Sequence, residues 1–366
     1  MTRRARRRVG LALAAVMLVL ASSVISCVVQ LGDGPRRVVA GELTRDVILP
    51  TYDDVVTTAT ALRTAAHAFA DAPTTATLLD VRAAWQLARA PWKRTDAFRF
   101  GPTALQTLGV AIDQSPIDAS KIEAEIAGTS ALDTAYFDNL GANKKGFHGI
   151  EYLLFGDTTA VLDQFTTFQR RREFVAGAAD HLVLSATALR AAWVDEAARL
   201  ADPGADNTDY PDINASIDAL VNESVFQAEV IADTRLGKPL GTSTGGTPHP
   251  ELQESGPSEF SIEDMKRALE SIRNIYYGSR DGTPGKGIGG LVAARSPVTD
   301  RDVRAALDGA LAAVTAIPGP YAQALVDARP TVLAAYTAVQ ELQDVLATEV
   351  VASLGATLKF NANDGD

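Results

Sequence analysis

Cysteine is nearly absent from this 366-residue chain, and its one occurrence, Cys27, lies close to the N-terminus. A single cysteine excludes a disulfide framework and any zinc site built from several thiolates. A bound metal ion would therefore depend on histidine, carboxylates and water. Histidine is also scarce, with four in the whole chain, so few positions can supply an imidazole ligand.

Aromatic residues make up only 6% of the chain, and β-branched residues rarely gather into alternating runs. Alanine and leucine dominate the hydrophobic fraction of 46%, which favours helices over strands. No nucleic-acid footprint of clustered lysine and arginine is present beyond the first residues, and the net charge is -11 with an isoelectric point near 4.9. We therefore expect no nucleic-acid partner, whereas an acidic chain suits the binding of cations.

The N-terminus has the composition of an export signal. Five arginines between positions 3 and 8 precede an uncharged apolar run that continues to Leu31. The four residues Val-Ile-Ser-Cys that end at Cys27 resemble the bacterial lipobox, so we predict a signal peptide over residues 1–27 and lipidation of Cys27. The alternative is an uncleaved helix that anchors the chain in the membrane. Both predict a membrane partner and place the remaining chain on the extracytoplasmic side, in the cell envelope or periplasm.

Glycine and proline divide the rest of the chain. Residues 28–42 combine them with short polar residues, which predicts a flexible tether. Helical periodicity then continues to a break at Asp202-Pro203-Gly204, and a second set of helical segments follows. We therefore predict an all-α fold of two helical-bundle domains, at 43–204 and 205–366.

Two further features concern the second half. The stretch from Gly237 to Ser258 is rich in glycine and proline, and a loop of this length inside a compact domain is usually functional or disordered. We favour an ordered, functional loop, and disorder is the alternative. Residues 149–156 also align with residues 271–278. An internal duplication would explain this similarity, and a chance match is the alternative.

His148 and Glu151 are the strongest candidates for chemistry. They are separated by three positions, so on a helix they lie on nearly the same face and can share one ligand. Their neighbours Ile150, Leu153 and Leu154 are apolar, which predicts burial, and a buried carboxylate needs a partner. The spacing indicates a metal-binding pair, and an ordinary hydrogen bond between the two is the alternative.

Several segments resemble the imelysin family in order and spacing. They are Ala-Arg-Ala-Pro-Trp-Lys-Arg-Thr-Asp-Ala-Phe-Arg-Phe-Gly-Pro at 88–102, Ser-Pro-Ile-Asp at 115–118, Gly-Phe-His-Gly-Ile-Glu-Tyr-Leu-Leu-Phe-Gly at 146–156, Lys-Pro-Leu-Gly at 238–241, then Glu254-Ser255, Ser258 and Asp264. The resemblance covers essentially the whole mature chain. It implies two helical bundles that meet at a cleft, export or lipid anchorage, and a link to iron and to iron-uptake partner proteins.

The resemblance also carries specific residues. His148 and Glu151 match the Gly-x-His-x-x-Glu motif of the family, Asp96 stands where relatives often carry Glu, and Arg99 and Asp118 match surrounding motif positions. We therefore expect His148 and Glu151 to bind a metal ion, with iron as the expected metal and Asp96 or Asp118 completing an oxygen-rich shell. Other candidates for the cleft are Arg99, Asp264, Glu270 and Arg273.

The family carries a metallopeptidase label, which the sequence supports poorly. Peptide hydrolysis requires a metal with an open position, about three protein ligands and a general base. No His-Glu-x-x-His occurs, and the inverted motif fails because Tyr152 follows Glu151. We favour a metal-binding envelope protein that acts in iron acquisition. The alternatives are a metallopeptidase and a binder of haem, polysaccharide or a partner protein that needs no metal.

Overall fold

The computed structural model describes residues 32–204 and 206–359. All regular secondary structure within these ranges is helical, so the predicted all-α class is confirmed. The predicted signal peptide and Cys27 lie outside the described residues. Among the described helices, none combines the length and the apolar character needed to cross a membrane.

The first half of the chain contains helices that we label α1 to α9. Their bounds are α1 Asp33–Leu43, α2 Leu49–Asp71, α3 Thr75–Lys93, α4 Thr103–Ile112, α5 Ala119–Ala127, α6 Thr134–Asn139, α7 Gly146–Leu154, α8 Thr158–Thr167 and α9 Gln169–Ala201. A π-helical turn at Thr44–Ile48 joins α1 to α2, and short 3-10 turns lie at Asp96–Phe98 and Ala142–Lys144.

The second half continues with helices α10 to α17. Their bounds are α10 Ile213–Glu229, α11 Lys238–Leu240, α12 Ser261–Tyr277, α13 Ile288–Ala293, α14 Pro297–Thr315, α15 Tyr321–Asp327, α16 Arg329–Val345 and α17 Val351–Leu354. π-helical segments at Val230–Gly237 and Leu346–Val350 extend α10 and α16, and a 3-10 turn lies at Pro250–Leu252.

Local sequence explains where many helices begin. The Thr74 hydroxyl accepts a hydrogen bond from the Thr77 amide at the start of α3, and Asp212 caps α10 in the same way. Ser296 caps α14, and the next residue is a proline, which has no amide hydrogen to leave unsatisfied. These short polar side chains bond the free amides of the first turn, so each helix starts at a defined residue.

The core of the first half is built around α2, which packs most extensively against α9 and α3. Tyr52 of α2 stacks on Trp193 of α9 with ring centroids 5.3 Å apart, and Phe98 meets Tyr52 edge-on at 5.7 Å. Each aromatic pair contributes about 0.5–1.5 kcal/mol beyond the burial of its area. In the second half, α14 packs against α16 and α12.

The two halves are joined rather than separate. Helix α3 packs against α12, and α10 packs against the 3-10 turn at Asp96–Phe98. Residues from Asp33 onward consequently form one compact unit. The predicted boundary at Gly204 lies in the short connection between α9 and α10, but the bundles on either side of it do not form distinct units. The internal duplication stays a prediction.

The predicted tether over 28–42 is wrong from Asp33 onward, where α1 begins. Val39, Ala40 and Leu43 are buried on one side of this helix, and the buried Arg36 donates a hydrogen bond to the Leu354 carbonyl at 2.7 Å. The glycines suggested flexibility, but the apolar face packs on the body of the protein and outweighs their low helix propensity.

Candidate metal centre

A cluster of charged side chains lies where α3 meets α7 and α12. Its central members are Arg89 on α3, His148 and Glu151 on α7, Asp113 at the end of α4 and Glu254 in the loop before α12. The side chain of Arg89 is fully buried and that of Glu254 is 17% exposed. The cluster is therefore almost completely removed from water, and each charge in it needs compensation.

Local backbone structure explains how α7 presents its two polar residues. Gly146 starts the helix at φ +67°, and a Cβ at this position would lie 2.3 Å from the carbonyl oxygen of Ile112. Only glycine accommodates both constraints. The close approach brings α7 against the end of α4, where Asp113 is the next residue, so His148 and Asp113 become neighbours.

His148 contacts a carboxylate through each ring nitrogen. Its Nδ1 lies 2.7 Å from Oε2 of Glu151, and its Nε2 lies 3.2 Å from Oδ1 of Asp113. The other oxygen of Glu151, Oε1, accepts hydrogen bonds from the amide and the hydroxyl of Ser258, at 3.0 and 2.6 Å. Glu151 therefore orients the imidazole ring so that Nε2 faces Asp113 and Glu254.

Burial and the charge of Arg89 both lower the pKa of His148, but the bonds to Asp113 and Glu151 outweigh them, and the net pKa lies well above the ordinary histidine value. Burial by itself raises the pKa of Asp113 and of Glu254. Arg89 reverses this effect for Asp113 and Arg235 reverses it for Glu254, so both pKa values fall well below the ordinary carboxyl range.

Arg89 is the cation around which the carboxylates gather. Its Nη1 lies 2.5 Å from Oδ1 of Asp113, and its Nη2 lies 2.8 Å from Oε1 of Glu254. Nη2 also lies 3.2 Å from Nε2 of His148, while Nε donates to Asp264 at 3.0 Å. One guanidinium thus contacts the same side-chain atoms that a metal ion at this position would use.

A second layer of ion pairs continues from Glu254. Its Oε1 accepts from Lys93 at 2.9 Å and its Oε2 from Arg235 at 2.8 Å. Lys93 and Arg235 also contact Oδ2 of the buried Asp96, at 3.2 and 2.7 Å, and Arg99 contacts its Oδ1 at 2.6 Å. Asp96 therefore lies in the same network as Glu254, because Lys93 and Arg235 contact both carboxylates.

The donors suit a borderline or hard metal ion. One oxygen each from Asp113 and Glu254 and one nitrogen of His148 lie within 4.8 Å of one another. Imidazole and carboxylate together are common ligands of iron, zinc and manganese. An ion between these three atoms would take the place of the Arg89 guanidinium, so the residues fit a metal on condition that Arg89 withdraws.

The structure distributes the predicted site residues differently from the sequence analysis. Glu151 meets Nδ1 of His148, whereas Asp113 and Glu254 converge on Nε2. Asp96 lies in the second layer. Asp118 caps α5 by accepting from the Lys121 amide at 3.1 Å, and its side chain also pairs with Lys121 Nζ at 2.8 Å. The bonds to Lys121 and Ser120 lower the pKa of Asp118 to about 2, and all of these partners belong to its own helix.

The other residues predicted for the cleft differ in whether they adjoin the charged cluster. Asp264 is fully buried on α12, where Ser255 donates to it at 2.5 Å, and burial raises its pKa although Arg89 lowers it. Arg99 lies over the Trp92 ring, 4.9 Å from its centroid. Glu270 bonds Arg94 and Arg267 in ion pairs at the α3–α12 contact, while the guanidinium of Arg273 lies beside Gly282. Asp264 and Arg99 therefore adjoin the cluster, whereas Glu270 forms separate pairs.

Sequence reasoning gave no role to Arg89, Asp113 or Glu254. Arg89 and Glu254 stand inside segments that resemble the imelysin family, so their position in those segments was an available signal. Asp113 belongs to no quoted motif, and only the packing of α4 against α7 reveals it. The loop over 237–258 carries Glu254 and Ser258, and its functional role stays a prediction.

A cavity of about 860 Å³ borders the cluster through Asp113 and Arg99. Residues from both halves of the chain line it, with aromatic side chains on several sides. The aromatic members are Tyr52, Phe100, Trp193, Tyr210 and Phe226. The volume falls in the range of small-molecule sites, so the polar cluster has an adjoining space far larger than one ion needs.

Comparisons with known proteins identify the family and the fold. The family model described as Imelysin matches residues 48–348. Iron-regulated protein A of Synechococcus elongatus is 29% identical over an alignment of 314 residues that covers 83% of this chain and 83% of that protein. Two solved structures share the fold. One is described as an iron-regulated protein A precursor of Parabacteroides distasonis, with a TM-score of 0.76, 23% identity, and coverage of 88% of this chain and 95% of that one. The other is an imelysin-like protein of Psychrobacter arcticum, with a TM-score of 0.75, 15% identity, and coverage of 90% and 98%.

Proposed function

The chain belongs to the imelysin family, and from this premise we propose that it is an exported metal-binding protein that acts in iron acquisition. The observation that carries the proposal is the convergence of Asp113, His148 and Glu254, whose ligand atoms lie within 4.8 Å of one another. The relative named iron-regulated protein A supports iron as the metal.

The chain's own residues have distinct parts in this proposal. His148 supplies Nε2, while Glu151 accepts the hydrogen on Nδ1 and fixes the ring. Asp113 and Glu254 supply one carboxylate oxygen each. Arg89 holds the two carboxylates together and withdraws toward Asp264 when an ion enters, since Nε is already bonded to that buried carboxylate. The metal supplies a charge of two or more at the point where the guanidinium otherwise lies.

Hydrolysis fits this geometry less well than binding. Both oxygens of Glu151 are engaged, by His148 and by Ser258, so Glu151 is not placed to activate a water molecule as a general base. We therefore propose a binding protein instead of a peptidase.

Location in the cell envelope belongs to the same proposal. The arginine-rich start, the apolar run and the lipobox at Cys27 are typical of a bacterial lipoprotein, and an iron-binding protein outside the cytoplasm would pass its ion to a membrane partner. The acidic composition is compatible with this role because it attracts cations.

Metal titration of the purified chain tests the proposal. We expect ferrous or ferric ion to bind, and the His148→Ala variant to lose that binding. Glu151→Gln should weaken binding roughly 10- to 100-fold because it changes an outer partner of a ligand. His67→Ala is the matched control, since His67 is an exposed histidine paired with Asp180. Asp118→Asn should also bind normally.

The proposal fails if the His148→Ala and His67→Ala variants bind iron equally well. Zinc, manganese and copper ions should be titrated beside iron, because the ligand set alone does not select among them. Cleavage of casein by the wild-type chain, lost in Glu151→Gln, would instead favour a metallopeptidase.

A further inference from the structure

The cavity beside the charged cluster has a chemical character of its own. Glu223, on α10, lines it and accepts a hydrogen bond from Gln227 at 3.1 Å. Among the described residues no ion pair joins Glu223 to a basic side chain, although other acids of the cavity wall have one. Asp113 pairs with Arg89, and Asp209 pairs with Arg199.

The positive charges near Glu223 are already matched or distant from the interior. Arg99 is the basic residue on this part of the wall, but its guanidinium is bonded to Asp96 at 2.6 Å and lies 3.8 Å from Asp113. Lys359, the other lysine or arginine lining the cavity, is exposed to solvent. Glu223 is thus the lining carboxylate that lacks a cation.

The remaining wall is aromatic and apolar. Tyr52 and Trp193 stack with ring centroids 5.3 Å apart, and Phe100 meets Trp193 edge-on at 5.8 Å. Leu105 and Leu189 also line the cavity. Aromatic faces attract cations through their ring electrons, and this attraction is strongest where water is excluded. A carboxylate without a partner, set among aromatic rings, is a suitable site for a positively charged organic group.

We propose that this cavity binds a small organic cation, an amine or ammonium compound with an apolar or aromatic body. The charged nitrogen bonds Glu223, which Gln227 holds in position, and the body lies against Phe100 and Phe226, the aromatic lining residues that are partly exposed. The volume of about 860 Å³ accommodates a molecule of this class and greatly exceeds what a bare ion requires. The residues proposed to bind the cation differ from the three proposed metal ligands, although one of these, Asp113, also lines the cavity.

The pKa of Glu223 predicts how binding of the cation depends on pH. Burial raises it to about 7, although Gln227 and Arg99 lower it, while Asp96 raises it further. A bound cation stabilises the ionised carboxylate, so binding tightens as pH rises from about 6 to about 8 and releases a proton. The other charged groups on the wall are Asp113, Asp209 and Lys359, and the Glu223→Gln variant separates their effect from that of Glu223.

Isothermal titration calorimetry of the full chain tests the proposal with three probes of similar size. They are 2-phenylethylamine as the cation, 2-phenylethanol as its neutral analogue and 3-phenylpropionate as the anion. We expect the amine to bind at least about tenfold more tightly than the other two, because it alone forms a charge-assisted hydrogen bond. Glu223→Gln should remove that preference and the pH dependence.

Asp209→Asn is the matched control, since Asp209 lines the same cavity but is paired with Arg199. The Kd of this variant for the amine should stay within about twofold of the wild-type value. The same result is expected for His148→Ala, which separates this site from the metal centre. Circular dichroism establishes that each variant is folded. The proposal is overturned if no probe binds, if the neutral or anionic probe binds as tightly as the amine, or if Glu223→Gln binds the amine like the wild type.

Discussion

Replacement of Arg89 by glutamine should destabilise the protein strongly, by an amount that depends on pH. The wild-type guanidinium is fully buried and bonds Asp113, Glu254 and Asp264 at 2.5 to 3.0 Å. Removing one partner from a buried ion network costs about 3–5 kcal/mol, because the opposite charges stay buried without compensation. Glutamine can still donate to one carboxylate, so we expect the lower part of this range at pH 7.

The pH dependence follows from the carboxylates. In the wild type the pKa values of Asp113 and Glu254 lie well below the ordinary range. Their ionised forms therefore stabilise the protein above a pH of about 4, and this contribution disappears as the pH falls through the lowered values. Without Arg89 the pKa of Asp113 rises, while Arg235 and Lys93 still lower the pKa of Glu254, so the contribution shrinks mainly at Asp113. The difference from wild type should thus be largest at neutral pH and smaller near pH 4.

Urea denaturation followed by circular dichroism at both pH values measures the change. Arg190→Gln is the control, because Arg190 pairs with the exposed Asp53 at 2.7 Å and should cost less than about 1 kcal/mol. Saturating iron should recover more stability in Arg89→Gln than in the wild type if the ion takes the place of the guanidinium. A loss below about 1 kcal/mol, or an equal loss at both pH values, would refute the argument.

Two further predictions concern the backbone and the N-terminus. Gly146→Ala should lower the free energy of unfolding by about 1–3 kcal/mol in urea denaturation, because φ is +67° and the new Cβ would meet the Ile112 carbonyl. Gly309→Ala is the control, since open space surrounds Gly309 inside α14, and this change should be neutral or stabilising. Cys27→Ser should move the protein from the membrane to the soluble fraction after cell fractionation, and unchanged membrane attachment would favour an uncleaved anchor.

Sequence periodicity was sufficient for the helical class, since an amphipathic pattern is a local property. It failed at α1. There Gly34 and Gly41 indicated a flexible tether, but the burial of Val39 and Leu43 against the body of the protein decides the conformation. Contacts of this kind depend on distant residues, as the bond from Arg36 to Leu354 illustrates.

The predicted division into two domains also depends on contacts between distant residues, which a local sequence pattern does not show. The break at Asp202-Pro203-Gly204 is visible in the sequence because proline and glycine end a helix. Whether two bundles separate depends on the surfaces that meet across the break. Helices α3 and α12 carry Arg89 and Asp264 at that contact, and the two side chains form a fully buried ion pair at 3.0 Å. Without the other half, Arg89 or Asp264 would lose its buried counter-charge, so the two halves stay together.

The pairing of His148 with Glu151 shows most clearly where spacing misleads. Two residues three apart on a helix are close enough to share a ligand, but they are also close enough to bond each other, and here Nδ1 and Oε2 are 2.7 Å apart. That bond uses the nitrogen nearer the helix and leaves Nε2 as the outward donor. The groups that meet Nε2 must then come from other segments, and they do, since Asp113 precedes His148 by 35 residues and Glu254 follows it by 106. A local motif can therefore identify the imidazole and its orienting carboxylate, whereas the remaining ligands are determined by how α4 and the loop before α12 pack on α7.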